Sequence, residues 1–169
     1  MGPISGAGTL QWAMIGLVTG AEVFGALPRA AAGRIADYLN SGPGSLLVVS
    51  RATTEDVDQG AEVPELLVLL AQITYVQPWG VTAGVENLPV PPRGATPIQL
   101  QVLLRSRIAV SGTIHLPTGV DLGAMLSRTD ETFLGFGRAA LVTPAGERRP
   151  ADGVLVNRSH ILLARRLGS

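Results

Sequence analysis

Histidine, cysteine and lysine carry much of the chemistry of proteins, and this chain is poor in all three. His115 and His160 are the two histidines, far apart in the chain, and neither is paired with a nucleophile or a carboxylate as a catalytic base requires. There is no cysteine, and all 13 basic residues are arginine. Thiolate catalysis, cysteine-bound zinc, a P-loop lysine and Schiff-base chemistry are therefore excluded. The sequence predicts no catalytic, cofactor-binding or metal-binding residue, and a protein that is not an enzyme.

Two short motifs have chemical interpretations that their surroundings do not favour. Gly135 and Gly137 begin a G-x-G-x-x-A match to the dinucleotide fingerprint, but the match lies inside a run that predicts a strand, so close packing in a sheet is the better interpretation. The acidic segment 55–62 lacks the ligand order of a calcium loop and predicts a solvated loop. Trp12 and Trp79, like the two tyrosines, are too widely spaced for a stacking platform, and we expect them in core and interface packing.

Charge is distributed unevenly along the chain although the net charge is zero. Residues 1–84 hold three arginines and seven acidic residues, whereas residues 85–169 hold ten arginines and six acidic residues. We expect four arginines of the second half to form one basic patch that binds a phosphate or a partner's carboxylates. These are Arg148, Arg149, Arg165 and Arg166. The alternative is that the acidic and basic halves face one another, within one chain or head to tail between chains.

A stretch of the first half recurs in the second half 87 positions later. Residues 23–39 (VFGALPRAAAGRIADYL) align without a gap with residues 110–126 (VSGTIHLPTGVDLGAML). One inserted residue in a later loop changes the shift to 88 and places residues 65–76 (ELLVLLAQITYV) on residues 153–164 (GVLVNRSHILLA). The apolar positions correspond more often than the identities do. A repeat of this kind predicts an internal duplication.

Both copies predict the same order of elements: a β-rich run, a short helix and three further strands. The runs are 12–27 and 100–116, and the strands are 45–54, 65–70 and 72–77, then 132–143, 153–157 and 160–166. The helices have apolar residues at i, i+3 and i+4, as one buried face requires. These are Ile35, Tyr38 and Leu39, then Leu122, Met125 and Leu126. A Pro-rich linker, 84–97, separates the copies.

The predicted fold class is mainly β (α+β), with two tandem homologous modules, residues 1–83 and 98–169. We expect each module to have about four antiparallel strands and one short helix, arranged as barrels or paired sheets. Residues 112–161 (G-x-I-x-L-P-x-G-x-x-L-x-x-x-L, then VLVNRSHI) resemble an uncharacterised bacterial family of small β modules. Their closing strands distantly resemble those of Sm-like barrels. The resemblance implies a fold and no activity, and neither ring assembly nor RNA binding is carried over.

The expected function is binding or assembly through protein contacts, with a protein partner or self-association. The alternative is binding of an anion or nucleic acid through the four arginines, with an affinity that falls steeply with salt. The apolar N-terminal stretch contains Glu22 and lacks a basic start, which favours neither a signal peptide nor a membrane span. We therefore expect a cytoplasmic protein without membrane contacts.

Overall fold

The computed structural model describes residues 10–28, 34–41, 44–80, 85–128 and 131–168. In these ranges the chain forms ten strands and two short helices, which confirms the expected mainly β class. The strands are β1 (Leu10–Leu17), β2 (Glu22–Pro28), β3 (Leu46–Thr53), β4 (Val63–Leu69), β5 (Ile73–Pro78), β6 (Thr96–Leu104), β7 (Ala109–Leu116), β8 (Phe133–Val142), β9 (Arg148–Asn157) and β10 (Ile161–Arg166). The helices are α1 (Ile35–Ser41), between β2 and β3, and α2 (Leu122–Ser127), between β7 and β8.

All ten strands belong to one antiparallel sheet with the order β10-β6-β7-β8-β9-β5-β1-β2-β3-β4. Each half follows the same local order, in which its last strand lies beside its first, and its second, third and fourth strands follow. The two halves are joined where β5 pairs with β9. Because β5 uses its free edge for this join, it does not close onto β4. The sheet therefore has two ends, β10 and β4, and is not closed into the expected barrels.

Each half contains five strands rather than the four that we expected. The β-rich run at the start of each copy is divided by a tight turn, between β1 and β2 and again between β6 and β7. Gly20 and Arg107 have positive φ angles of 91° and 68° in these turns, and their amides donate to the carbonyls of Leu17 and Leu104 at 2.9 Å. Each turn contains only a few residues, and the strands on both sides of it are rich in apolar residues, so the sequence pattern alone does not separate them.

The strand registers of the two halves correspond at the spacings of 87 and 88 residues. Corresponding pairs are Ile15–Val23 with Val102–Val110, Phe24–Thr53 with Ser111–Ala140, Val49–Leu66 with Phe136–Val154, and Ile15–Val76 with Val102–Ala164. Irregular features correspond as well, since Arg51 and Arg138 both have positive φ angles, of 51° and 46°. A Cβ atom on either Gly25 or Gly112 would come within 3.2 Å of the backbone of the next strand. Both positions therefore require glycine for the same close approach.

The buried side chains form two hydrophobic cores, one for each half. The first core gathers buried residues of β1 to β5 and α1, including Val68 of β4, and the second gathers those of β6 to β9. Three strand residues cross between the halves: Phe133 and Leu155 pack in the first core, and Tyr75 packs in the second, while Leu88 of the segment before β6 also packs in the first core. All three strand residues are fully buried. Burial of such side chains stabilises a fold by about 1.5–3 kcal/mol each, so the join contributes to both cores.

The two helices hold corresponding sequence positions but are buried to different extents. Helix α1 lies against β8 of the second half, where the Asn40 side chain donates to the carbonyl of Phe133 at 3.3 Å and accepts from its amide at 2.8 Å. The buried residues of α1 are Ile35, Ala36 and Leu39. Helix α2 has no buried residue, and its apolar face is only partly covered. The contact with β8 of the other half accompanies the deeper burial of α1 in the first core.

Candidate interaction surfaces

The pairing of β5 with β9, which we call the inner join, is the contact that unites the two halves. Tyr75 lies opposite Val156 and Val76 opposite Leu155. Every residue of β5 is buried, as are the last five residues of β9. The Asn157 side chain donates to the carbonyl of Ile73 at 2.8 Å. The inner join is thus a continuous, water-excluding contact between two sheet edges.

A polar cluster of Glu22, Tyr75 and Arg149 completes the inner join. Arg149 donates to both carboxylate oxygens of Glu22, with Nη2–Oε1 at 2.5 Å and Nη1–Oε2 at 3.2 Å. The Tyr75 hydroxyl donates to Glu22 Oε1 at 2.6 Å. The charged side chains are about one quarter exposed (27% and 28%), so water screens them only in part. The cluster links β2 and β5 of the first half to β9 of the second.

The pKa values of the cluster are shifted together. Burial raises the pKa of Glu22, but the hydrogen bonds from Arg149 and Tyr75 and the charge of Arg149 lower it further than burial raises it. Burial and the hydrogen bond to Glu22 raise the pKa of the Tyr75 hydroxyl well above its usual range. The hydrogen bond to Glu22 also raises the pKa of Arg149, although burial opposes it. The cluster is therefore a stable ion pair with a neutral tyrosine, not a poised acid or base.

The four arginines of the predicted patch lie on two strands that are not neighbours. Arg148 and Arg149 begin β9, Arg165 and Arg166 end β10, and three strands lie between β9 and β10 in the sheet. Arg149 is bound to Glu22 of the first half. Arg148, Arg165 and Arg166 are exposed, and Arg165 Nε donates to Gln101 Oε1 at 2.7 Å. Arg149 thus contributes to the contact between the acidic and basic halves within the chain.

The other candidate residues occupy structural positions. His115 is exposed on β7, and His160 Nε2 lies 2.5 Å from the carbonyl oxygen of Ala71, on the other half. Gly135 and Gly137 lie inside β8, and a Cβ atom on Gly135 would come within 2.6 Å of Pro89. The glycine therefore lets the segment before β6 cross the sheet closely, as expected for packing. Within the described ranges no group of three or more histidine, aspartate or glutamate residues could hold a metal ion.

A groove of about 390 Å³ opens beside Glu22, between the β1–β2 hairpin and the β3–β4 loop. Its lining includes Met14, Phe24, Glu55 and Asp56. The Glu22 carboxylate already accepts hydrogen bonds from Arg149 and Tyr75, as described above. The described lining residues include no basic side chain, and they contain Thr53 and Thr54 together with the carboxylates of Glu22, Glu55 and Asp56.

Three aromatic residues of the first half meet on the surface, which their spacing in sequence did not predict. Trp12 stacks on Phe24 with ring centroids 5.3 Å apart, and Trp79 meets the edge of Phe24 at 6.0 Å. The guanidinium of Arg51 lies 5.3 Å from the centre of the Trp12 ring. The antiparallel pairing of β1 with β2 and β5 brings the three rings together. The contacts between the rings, and between Arg51 and Trp12, stabilise this face of the first half.

The two ends of the sheet, β4 and β10, expose leucines that the sequence analysis did not single out. Leu67 and Leu69 on β4 are 56% and 54% exposed, and Leu162 and Leu163 on β10 are 47% and 65% exposed. On one side, each strand has no paired strand among the described residues. The internal alignment pairs Leu67 with Leu155, but only the strand order shows that Leu155 is fully buried and Leu67 is exposed. We call β4 and β10 with these leucines the open edges.

The longest helix in the described part of the chain has seven residues, far fewer than the roughly 20 needed to cross a bilayer. No described helix could therefore span a membrane. Comparisons of the chain with protein-family models, with curated proteins and with solved structures find no match.

Proposed function

We propose that this protein is a non-enzymatic assembly unit that binds other protein chains through the two open edges of its sheet. The exposed leucines on β4 and β10 carry the proposal. An unpaired edge strand offers a row of free N–H and C=O groups to another strand, and proteins usually protect such edges with charges, prolines or covering loops. Here Pro64 and Glu65 lie near the start of β4, and Arg165 and Arg166 end β10, whereas the opposite end of each strand exposes leucines. Those leucines favour pairing with a further strand. We also propose that it acts in the cytoplasm.

The same proposal includes a tandem duplication of one five-stranded module. The shared strand order, the corresponding registers and the positive φ angles of Arg51 and Arg138 support it. A duplicated module explains why the molecule has a joined pair of edges in the middle and an equivalent unjoined pair at its ends. The edges of one module are β5 and β4, and those of the other are β10 and β9. The chain pairs β5 with β9 and leaves β4 and β10 at the ends of the sheet.

The alternative function, binding of an anion or nucleic acid through Arg148, Arg149, Arg165 and Arg166, has less support. Arg149 is bound to Glu22, and three strands separate the two arginine pairs in the sheet. A site for phosphate needs convergent cations that are not already paired.

Measurement of the molecular mass in solution, with and without single-stranded nucleic acid, tests the proposal. Between about 1 and 200 µM protein, the mass is expected to rise above the 17.5 kDa of one chain, without nucleic acid. Hydrogen exchange of the β4 and β10 amides is expected to slow in the same range. A single-chain mass throughout would contradict the proposal. A mass that rises only with nucleic acid, and falls steeply with salt, would favour the alternative.

A further inference from the structure

We propose that the strand that covers each open edge belongs to a second copy of this chain, with β4 of one copy paired with β10 of the next, head to tail. This proposal rests on the proposed function, since it specifies the partner as a second copy of the chain and gives the register in which β4 and β10 pair. The inner join is the pattern for this contact, because β4 corresponds to β9 and β10 corresponds to β5. The chain therefore carries both halves of an interface that it already forms once within itself.

The side chains at the ends match those that cross the inner join. Each strand residue that enters the other half's core has an exposed leucine as its counterpart. The pairs are Phe133 with Leu46, Leu155 with Leu67, and Tyr75 with Leu163. The counterparts are 40%, 56% and 65% exposed, whereas the three crossing residues are fully buried. In the proposed contact, Leu46 and Leu67 enter the second core of the next copy, and Leu163 enters the first core of its neighbour.

The register of the inner join also brings opposite charges together. It places Tyr75 opposite Val156, and the same register continued along β4 and β10 places Arg166 of one copy opposite Glu65 of the other. Both side chains are exposed in the single chain. Opposite charges that face each other across antiparallel strands attract. Glu65 and Arg166 lie two positions beyond the counterparts of the residues that pair in the inner join. Pro64, which lacks an N–H, lies one residue beyond Glu65, so the proposed pairing ends before it.

Helix α2 and the distribution of charge agree with this arrangement. Helix α1 is buried where the other half covers it at the inner join, and α2 has the partly covered apolar face that a next copy would bury. The β4 end belongs to the acidic half of the chain and the β10 end to the basic half. A head-to-tail contact therefore joins opposite charges, whereas a symmetric β4–β4 or β10–β10 contact joins like charges.

The test mixes two variants that each lose one edge, Leu67→Asp on β4 and Leu163→Asp on β10. Both side chains are mostly exposed, so each variant is expected to keep its own fold, checked by its thermal unfolding. A charge buried in the contact should weaken association at least about 100-fold, and each variant alone should have the mass of one chain. An equimolar mixture should form a complex of two chains and stop there, because one intact β4 meets one intact β10.

The mixture separates this inference from the proposed function. If one variant alone still forms dimers, the contact is symmetric, which overturns the head-to-tail inference but leaves edge binding in place. If both variants associate as the unchanged chain does, the edges are not used, and both proposals fail. Should either variant unfold, the charge exchange below gives the decision instead.

Exchange of the facing charges tests the register. Glu65→Arg and Arg166→Glu are each expected to weaken association about tenfold, because an attraction across the strands becomes a repulsion. The chain with both changes should recover most of that loss. Glu147→Arg and Arg93→Glu, at exposed positions away from both edges, are the matched controls and should leave association unchanged. No recovery in the double variant would overturn the register.

Discussion

The inner join and the open edges occupy corresponding positions but are built from different residues. The inner join has a tyrosine at position 75, an arginine at 149 and an asparagine at 157, whose counterparts are Leu163, Ala61 and Leu69. Its polar cluster fixes one register between halves that are permanently linked by the chain. The ends have exposed leucines in place of the cluster. In the assembly that we propose, the contact between the ends therefore depends on apolar area and is easier to reverse than the inner join. The comparison indicates that the polar cluster distinguishes the join that is formed within the chain from the edges that we propose for assembly.

The largest difference between the two regions is expected for the leucines themselves. Leu155→Ala, at the inner join, should lower the free energy of unfolding by about 2–5 kcal/mol, because it leaves a cavity between fully buried side chains. Leu67→Ala, at the corresponding open position, should change it by less than about 1 kcal/mol in dilute protein, where chains are single. Denaturant unfolding of both variants measures the difference. Equal losses would mean that the two positions are not in different environments.

The ion pair of the inner join is expected to have the next largest effect. Arg149→Ala should lower the free energy of unfolding by about 1–3 kcal/mol, since it leaves the Glu22 carboxylate partly buried without its charge partner. Arg148→Ala is the matched control, because Arg148 is the adjacent exposed arginine, and it should change stability by less than about 0.5 kcal/mol. Similar losses in both variants, measured by denaturant unfolding, would contradict a role of the ion pair at the join.

The local elements of this fold could be predicted from sequence, whereas the joins between them could not. Helical spacing of Ile35, Tyr38 and Leu39 predicted α1, and the repeat transferred the same prediction to α2. Glu22 and Arg149 are far apart in sequence, so no local pattern predicts their contact. No local pattern predicts that β5 pairs with β9 either. Apolar strands such as β4 have the same composition at an edge as in the middle of a sheet, so the exposure of Leu67 also depended on the sheet order.

Acid is expected to weaken the inner join selectively. The pKa of Glu22 is lowered in the folded chain, so this carboxylate contributes stability that is complete above its ordinary pKa of 4.5 and is lost as the pH falls through the lowered value. The free energy of unfolding should therefore fall as the pH drops below about 5. Glu22→Gln should flatten this dependence, which denaturant unfolding at a series of pH values measures. An unchanged slope in that variant would show that other carboxyl groups dominate.

The smallest effect on stability is expected at the two helices. Helix α1 is stabilised by burial, whereas α2 is stabilised by a capping side chain. Asp121 caps α2 by accepting from the amide of Ala124 at 2.7 Å, and its counterpart in α1 is Arg34, whose side chain forms an exposed ion pair with Asp37. Helix α1 is held by burial against the second half, whereas α2 needs its cap because its apolar face is only partly covered.

Asp121→Ala should therefore lower the free energy of unfolding by about 1 kcal/mol and speed hydrogen exchange in α2 of the single chain. Arg34→Ala should leave hydrogen exchange in α1 unchanged. If association covers α2 as α1 is covered, the effect of Asp121→Ala on exchange in α2 should shrink when the protein is concentrated enough to assemble. An effect of the same size in single and assembled chains would mean that α2 gains no cover from the next copy, and that the ends do not reproduce the inner join.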